Sequence, residues 1–231
     1  MFISRISAAM TPLALCCAMA PAHAGRPMVV DDAAIVGANN CQLESWVYKG
    51  PAGTEYWAVP ACNFSGNLEV AFGGARIVGA SQTANVAVLQ GKTLFKPLDN
   101  NGWGAGLVFG TQTVPGYGGI GDVSVTVPVS FSFLDSKIVA HTNAGFVRVN
   151  SSRHIYGSWG LGAEAVLNER ATLTAETFGQ QGGKPLVQVG MKYWLTKDRV
   201  QLDATYGGRV GNGRSNRFVT IGLVLFTNVL Q

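Results

Sequence analysis

From residue 122 the chain reads DVSVTVPVSFSF. Val123, Val125, Val127, Val129, Phe131 and Phe133 share one parity, while Ser124, Thr126, Pro128, Ser130 and Ser132 share the other. Successive side chains of an extended strand point to opposite faces, so this pattern predicts a strand with one apolar and one polar face. The same period recurs from 102, 155, 171, 188 and 218, and helical periodicity is absent. With the weaker segments included, strands are predicted at 41–49, 55–64, 68–78, 84–95, 102–112, 122–134, 137–149, 154–167, 171–180, 185–196, 199–208 and 216–227.

The connections alternate as well. SGN, LDNN, DS, NER and KD are short, whereas GASQT, TVPGYGGIG, NSSR, GQQGGK and GRVGNGRSN are mostly longer and richer in glycine. An even strand count with short turns at one end and long loops at the other predicts an all-β, closed, antiparallel transmembrane barrel of twelve strands, wound as an up-and-down meander. Lipid offers backbone groups no hydrogen bonds, so only a closed sheet survives there. Lipid also penalises an outward Lys or Arg by about 2–4 kcal/mol at mid-membrane. In the well-patterned strands the apolar parity carries no charge at mid-strand, and the other parity is filled with Gly, Ser and Thr. A soluble β-sandwich or lipocalin-like barrel is the rival, but its outer face would carry many more Lys and Glu.

Composition agrees: of 231 residues, 47% are hydrophobic and 13% charged, about half the charged share of an average soluble domain. Residues 1–24, with Arg5, an apolar run and Ala22 and Ala24 before Gly25, predict a cleaved secretory signal peptide. Leu15 ahead of Cys16 argues against a lipoprotein site. Residues 25–40 then form an N-terminal periplasmic or plug segment, with Arg26, Asp31 and Asp32 as possible plug contacts, and 41–231 form the barrel. Removing Arg5 leaves 16 basic and 13 acidic residues, net +3, too mild and scattered for a nucleic-acid partner. The remaining cysteines, Cys41 and Cys62, face each other if KGPAGT is a symmetric hairpin turn. In an oxidising compartment that predicts a disulfide over two inert thiols.

Candidate chemistry lies on the polar parity. A tight hairpin centred between Lys197 and Asp198 sets Lys192 opposite Asp203 as an inward ion pair. Similar registration turns Glu44, Glu69, Glu164, Glu176, His141 and Asn143 inward, and Lys92 joins them on a strand that alternates poorly. These groups are predicted to form a polar layer in the lumen, acting either as a salt-bridged filling or as a charge-selective constriction. Inward Gly104, Gly106, Gly110, Gly160, Gly162 and Gly190 leave space for a narrow path or a packed segment.

At RPMVVDDAAIVGANNCQLESW, HTNAGFV, AETFGQ and DATYGG the chain resembles a bacterial outer-membrane barrel family labelled meta-pathway phenol-degradation or transporter-like. The resemblance implies an outer-membrane barrel with an Arg-Pro and Asp-Asp leader, here Arg26, Pro27, Asp31 and Asp32, and an interior Glu matched by Glu44. Val30 stands where Thr often precedes the acidic pair, and FTNVLQ lacks the terminal aromatic typical of such barrels.

The expected partners are outer-membrane lipid and lipopolysaccharide, the barrel-insertion machinery and a small solute passed by a monomer. The class rival is a structural or surface-interaction barrel with a sealed interior. No enzyme, cofactor or metal is predicted: His141 and Asn143 have no serine tied to them, and no Cys/His cluster has zinc spacing.

Overall fold

A computed structural model describes residues 27–79, 82–116, 119–211 and 216–227. The signal-peptide expectation and Arg26 lie outside the described residues. Twelve strands follow in chain order: β1 (Asn40–Gly50), β2 (Gly53–Asn63), β3 (Glu69–Gly79), β4 (Thr83–Lys96), β5 (Trp103–Thr113) and β6 (Asp122–Phe133). The second half comprises β7 (Ile138–Arg148), β8 (Ile155–Val166), β9 (Ala171–Gln180), β10 (Leu186–Thr196), β11 (Val200–Arg209) and β12 (Arg217–Thr227). Each strand pairs antiparallel with the next, and β1 pairs with β12 to close the barrel. Every strand end falls within two residues of its sequence expectation.

Alternation fixes which face is which. Val189, Leu202 and Ile221 point outward and are 59%, 38% and 62% exposed, whereas Lys192 and Asp203 point inward and are 4% and 3% exposed. This is the reverse of a soluble barrel, in which the apolar face is the dry one. Trp103, Trp159, Tyr193 and Tyr206 also lie exposed on the outer parity, where amphipathic rings serve as interface anchors.

The registers explain why some segments alternated badly. Val86 shares the inward parity of Lys92 and is 6% exposed, so an apolar residue on the lumen face blurs the alternation of β4 and obscured the inward setting of Lys92; a bulge lies beyond it, between Leu94 and Lys96. A second bulge lies between Trp194 and Thr196. Ladder pairing lapses beside Pro60 of β2 and Pro128 of β6 without a change of register, because proline donates no ladder hydrogen bond. At the β6–β7 turn, Asp135 and Ser136 take φ of 56° and 63°, the left-handed pair that lets a tight turn follow the strand twist. Cys41 and Cys62 are register partners joined by a disulfide, with Cα atoms 4.1 Å apart.

Candidate functional site: a strap inside the lumen

Residues 27–39 have no regular structure and run inside the barrel down to β1. We call this segment the strap. The described chain ends and the connections β2–β3, β4–β5, β6–β7, β8–β9 and β10–β11 share one end of the barrel, the terminal end; the other connections, from the two-residue turn at Pro51 and Ala52 to the eight residues between β5 and β6, share the opposite one, the loop end. A backbone inside the lumen needs partners for its N–H and C=O groups, and the wall supplies them. Val29 and Val30 donate their N–H groups to the Glu176 carboxylate at 2.8 and 2.7 Å. Asn143 accepts from Asp31 N–H and donates to Asp31 C=O, both at 2.7 Å. Ala33 N–H donates to Ser130 Oγ at 2.8 Å, and Val36 N–H to Glu69 at 2.7 Å. Asn63 Nδ2 donates to Val36 C=O at 2.7 Å, and Gln188 Nε2 to Pro27 C=O at 3.2 Å.

Two features let the strap sit close. A Cβ on Gly160 would stand 2.7 Å from Val30 Cγ2, and one on Gly162 would collide with Met28 Cε. Residues with side chains there would push the strap off β8. Between them, Val30, Ala33 and Val36 are almost wholly buried.

The inward residues expected from the sequence form three groups rather than one ring. In the first, Lys92 Nζ lies 2.5 Å from both Asp31 Oδ1 and Asp32 Oδ1, and Glu69 is its register partner on β3. In the second, Lys192 Nζ bonds both Glu164 oxygens at 2.8 and 2.9 Å, and His141 Nε2 lies 3.4 Å from Glu164. The third is Glu176, which holds the strap and also accepts from Gln188 Nε2. Glu44 is half-buried on β1, 3.4 Å from Gln42 Nε2.

Lys192 and Asp203 are register partners, as expected, and Lys192 also forms an ion pair with Glu164, reached across β9. The flexible four-carbon stem lets an ammonium reach a diagonal partner as well as the directly opposite one. The Asp203 carboxylate lies against Gly222, where an added Cβ would stand 2.5 Å from Oδ2. One expectation needs correction: the structure ties a serine to His141, with Ser130 Oγ 2.8 Å from Nδ1. Serine, imidazole and carboxylate in series is the arrangement of nucleophilic hydrolases. Here, however, Ser130 is 0% exposed and its oxygen already accepts the Ala33 N–H. Ser130 therefore links the strap to His141, whose Nε2 approaches Glu164 to 3.4 Å.

Sequence reasoning missed Ser130, Gln188 and Asn63 as strap anchors. Ser130 and Gln188 carried the signal of polar parity, but uncharged side chains on that face read as filler until something needs them. It also missed Trp46 and Trp57, which stack on the inner wall with centroids 5.2 Å apart and planes 5° from parallel.

The strap divides the lumen. A cavity of 220 Å³ lies between it and the wall formed by β1–β4, bounded by groups including Glu44, Val59, Glu69 and Lys92. A second, of 510 Å³, lies toward the loop end and is bounded by Asn143, Ser158, Phe178, Lys184 and Arg209. Val29 and Val30 line both.

The profile of a family described as "Uncharacterised conserved protein UCP029691" matches residues 12–226. No curated protein matches the sequence. Among solved structures, KdgM porin superposes with a TM-score of 0.65 at 8% identity, over 80% of this chain and 98% of that one. NanC porin gives 0.59 at 13% identity, again over 80% and 98%. The COG4313 outer membrane channel from Pseudomonas putida F1 gives 0.57 at 11% identity, over 85% and 98%. At these identities the likeness establishes the outer-membrane barrel fold.

Proposed function

This chain belongs to the family described as uncharacterised conserved protein UCP029691, and we propose that it is a bacterial outer-membrane channel for a small solute, narrowed by its own N-terminal segment. The observation that carries this reading is the divided lumen: two cavities on either side of a strap, meeting at Val29 and Val30. A structural filling would need no such spaces. In the proposed orientation the terminal end faces the periplasm and the loop end faces outward. The protein reaches this site through a cleaved leader, works as a monomer, and is surrounded by outer-membrane lipid and lipopolysaccharide after insertion by the barrel-assembly machinery. Asp31 and Asp32 act as plug contacts through Lys92, and the wall residues named above set the charge of the path. The folds named porin and channel lend this reading support. The narrower resemblance to phenol-degradation barrels is a proposal about kinship and carries no solute with it.

One observation favours the rival, a sealed barrel: Val30, Ala33 and Val36 are packed nearly as tightly as a protein core. Planar-bilayer recording of the refolded protein separates the two. Steady ion current that is altered in Glu176→Gln supports the channel. Silence across voltage and salt supports the sealed barrel and ends the channel reading.

A further inference from the structure

Between the strap and the loop end the polar wall changes character. The 510 Å³ cavity meets another of 330 Å³ at Val147 and Gln180, which line both. Gln90, Gln112 and Ser124 border the smaller space, and Ser158 and Phe178 the larger. None of these glutamine and serine side chains, Gln180 included, hydrogen-bonds another described residue. The strap's own anchors differ: Asn63, Ser130, Asn143 and Gln188 are each engaged by the N-terminal segment. Gly110 is the register partner of both Gln90 and Ser124, and having no side chain it leaves the gap between them open.

The chemistry of these groups narrows what they suit. An amide offers donors and an acceptor together, and a hydroxyl offers both from one oxygen. A carboxylate ligand would leave the facing acceptors unmet, and an alkylammonium the facing donors; a solute hydroxyl satisfies either. The charged residues of the lining stand at the rim: Asp122 opens β6, Arg209 closes β11, and Lys184 precedes β10. Asp122 accepts from Asn150 N–H and Arg209 donates to Lys184 C=O, so both are tied to loop backbone. Phe178, opposite Gly160 on β8, adds an apolar ring to the same lining. Small-molecule sites combine apolar surface with a few placed polar groups and occupy ~300–1,000 Å³, the range in which both cavities fall. A cyclic polyol presents the matching combination, with hydroxyls around its edge and C–H groups on its face.

We propose that the loop-end part of the lumen is a binding subsite for a neutral, polyhydroxylated solute of monosaccharide size, held by Gln90, Gln112 and Gln180 beside Phe178. The inference names a solute class for the proposed channel. It rests on that reading for passage but not for binding, since Gln112 and Gln180 are exposed at the loop end. Methyl β-D-glucoside is the probe, titrated against refolded protein in a detergent without a sugar head group and followed by saturation-transfer NMR. Sodium glucuronate at matched ionic strength is its charged counterpart. The expected result is saturable binding of the glucoside, stronger than that of glucuronate. It should weaken about fivefold in Gln90→Met and in Gln180→Met, equivalent to about 1 kcal/mol for one neutral hydrogen bond, and about threefold in Phe178→Leu, in line with the size of one aromatic contact. Heat-modifiable migration on gels verifies that each variant is folded, and positions on two separate strands keep the test decisive if one variant misfolds. Absence of saturation, tighter binding of glucuronate, or an affinity indifferent to the substitutions in folded protein overturns the proposal. Bilayer recording in the same buffer keeps the two readings apart: binding without conductance ends the channel and keeps the subsite, and conductance without binding does the reverse.

Discussion

The two halves of the inner wall are built on different principles. From β2 to β10, Asn63, Glu69, Lys92, Ser130, Asn143, Glu176 and Gln188 each bond the strap. Their charges are satisfied by a segment that is itself rich in backbone donors. On the β12–β1–β2 side toward the loop end, the wall presents Trp46 stacked on Trp57 and Tyr48 against Phe218 at 5.3 Å. Nearby Thr205 and Thr220 bond each other at 2.7 Å. One part is a docking surface whose polar groups bond the strap, and the other is a surface of aromatic and hydroxyl pairs that join neighbouring strands. A barrel that had to be merely full would have no reason for this division. Breaking each half in turn should therefore have unequal consequences.

The largest effect is expected from deleting residues 27–36. The barrel's own ladders do not involve the strap, so the shortened protein should fold and show a single-channel conductance several-fold above that of the intact chain, as bilayer recording would reveal. Equal conductance would mean that the strap does not narrow the path. Lys92→Met comes next. It leaves Asp31, Asp32 and Glu69 facing one another without an ammonium, and removal of one partner from a buried pair costs about 3–5 kcal/mol. Amide hydrogen exchange at Asp31–Val36 should accelerate by at least about a hundredfold, with strand amides unchanged; acceleration spread evenly over the strands would show that Lys92 supports the barrel and not the strap.

Glu176→Gln is milder because a neutral oxygen still accepts one hydrogen bond. Bonds to charged groups contribute about 1.5–3 kcal/mol against about 1 for neutral ones, so exchange at Val29 and Val30 should quicken by roughly tenfold while Val36 stays protected. Gly160→Ala should shift the strap near Val30 at a cost of about 1–3 kcal/mol, read from the same amides. The smallest effect is expected on the other half. Trp46→Leu removes a stacked pair that contributes about 0.5–1.5 kcal/mol; it should lower the thermal midpoint slightly and leave strap exchange untouched. Strap exchange that responds to Trp46→Leu as strongly as to Glu176→Gln would erase the distinction between the halves.

Much of the fold was legible because lipid and lumen sort side chains by parity, and parity is local. The register of β10 and β11, which sets Lys192 opposite Asp203, follows from the turn at Lys197 and Asp198. The disulfide followed from the turn at Pro51 and Ala52 in the same way. Where an apolar residue took the lumen face, as Val86 does on β4, the reading of Lys92 weakened with it. The partners of the inward charges were a different matter. Lys192 found Glu164 across an intervening strand, and Ser130 found both His141 and a residue 97 positions earlier in the chain.

The sequence by itself determined that the chain makes alternating two-faced strands, which face of each is uncharged, and which polar residues line the interior, since all three depend on neighbours one or two residues away. Only the tertiary structure decided that residues 27–39 lie within the barrel, that the lumen is split unevenly around them, and which carboxylate meets which ammonium. Those outcomes depend on distances across a closed ring, where long side chains and a backbone full of unmet donors select partners by reach and desolvation, and no period along the chain records that choice.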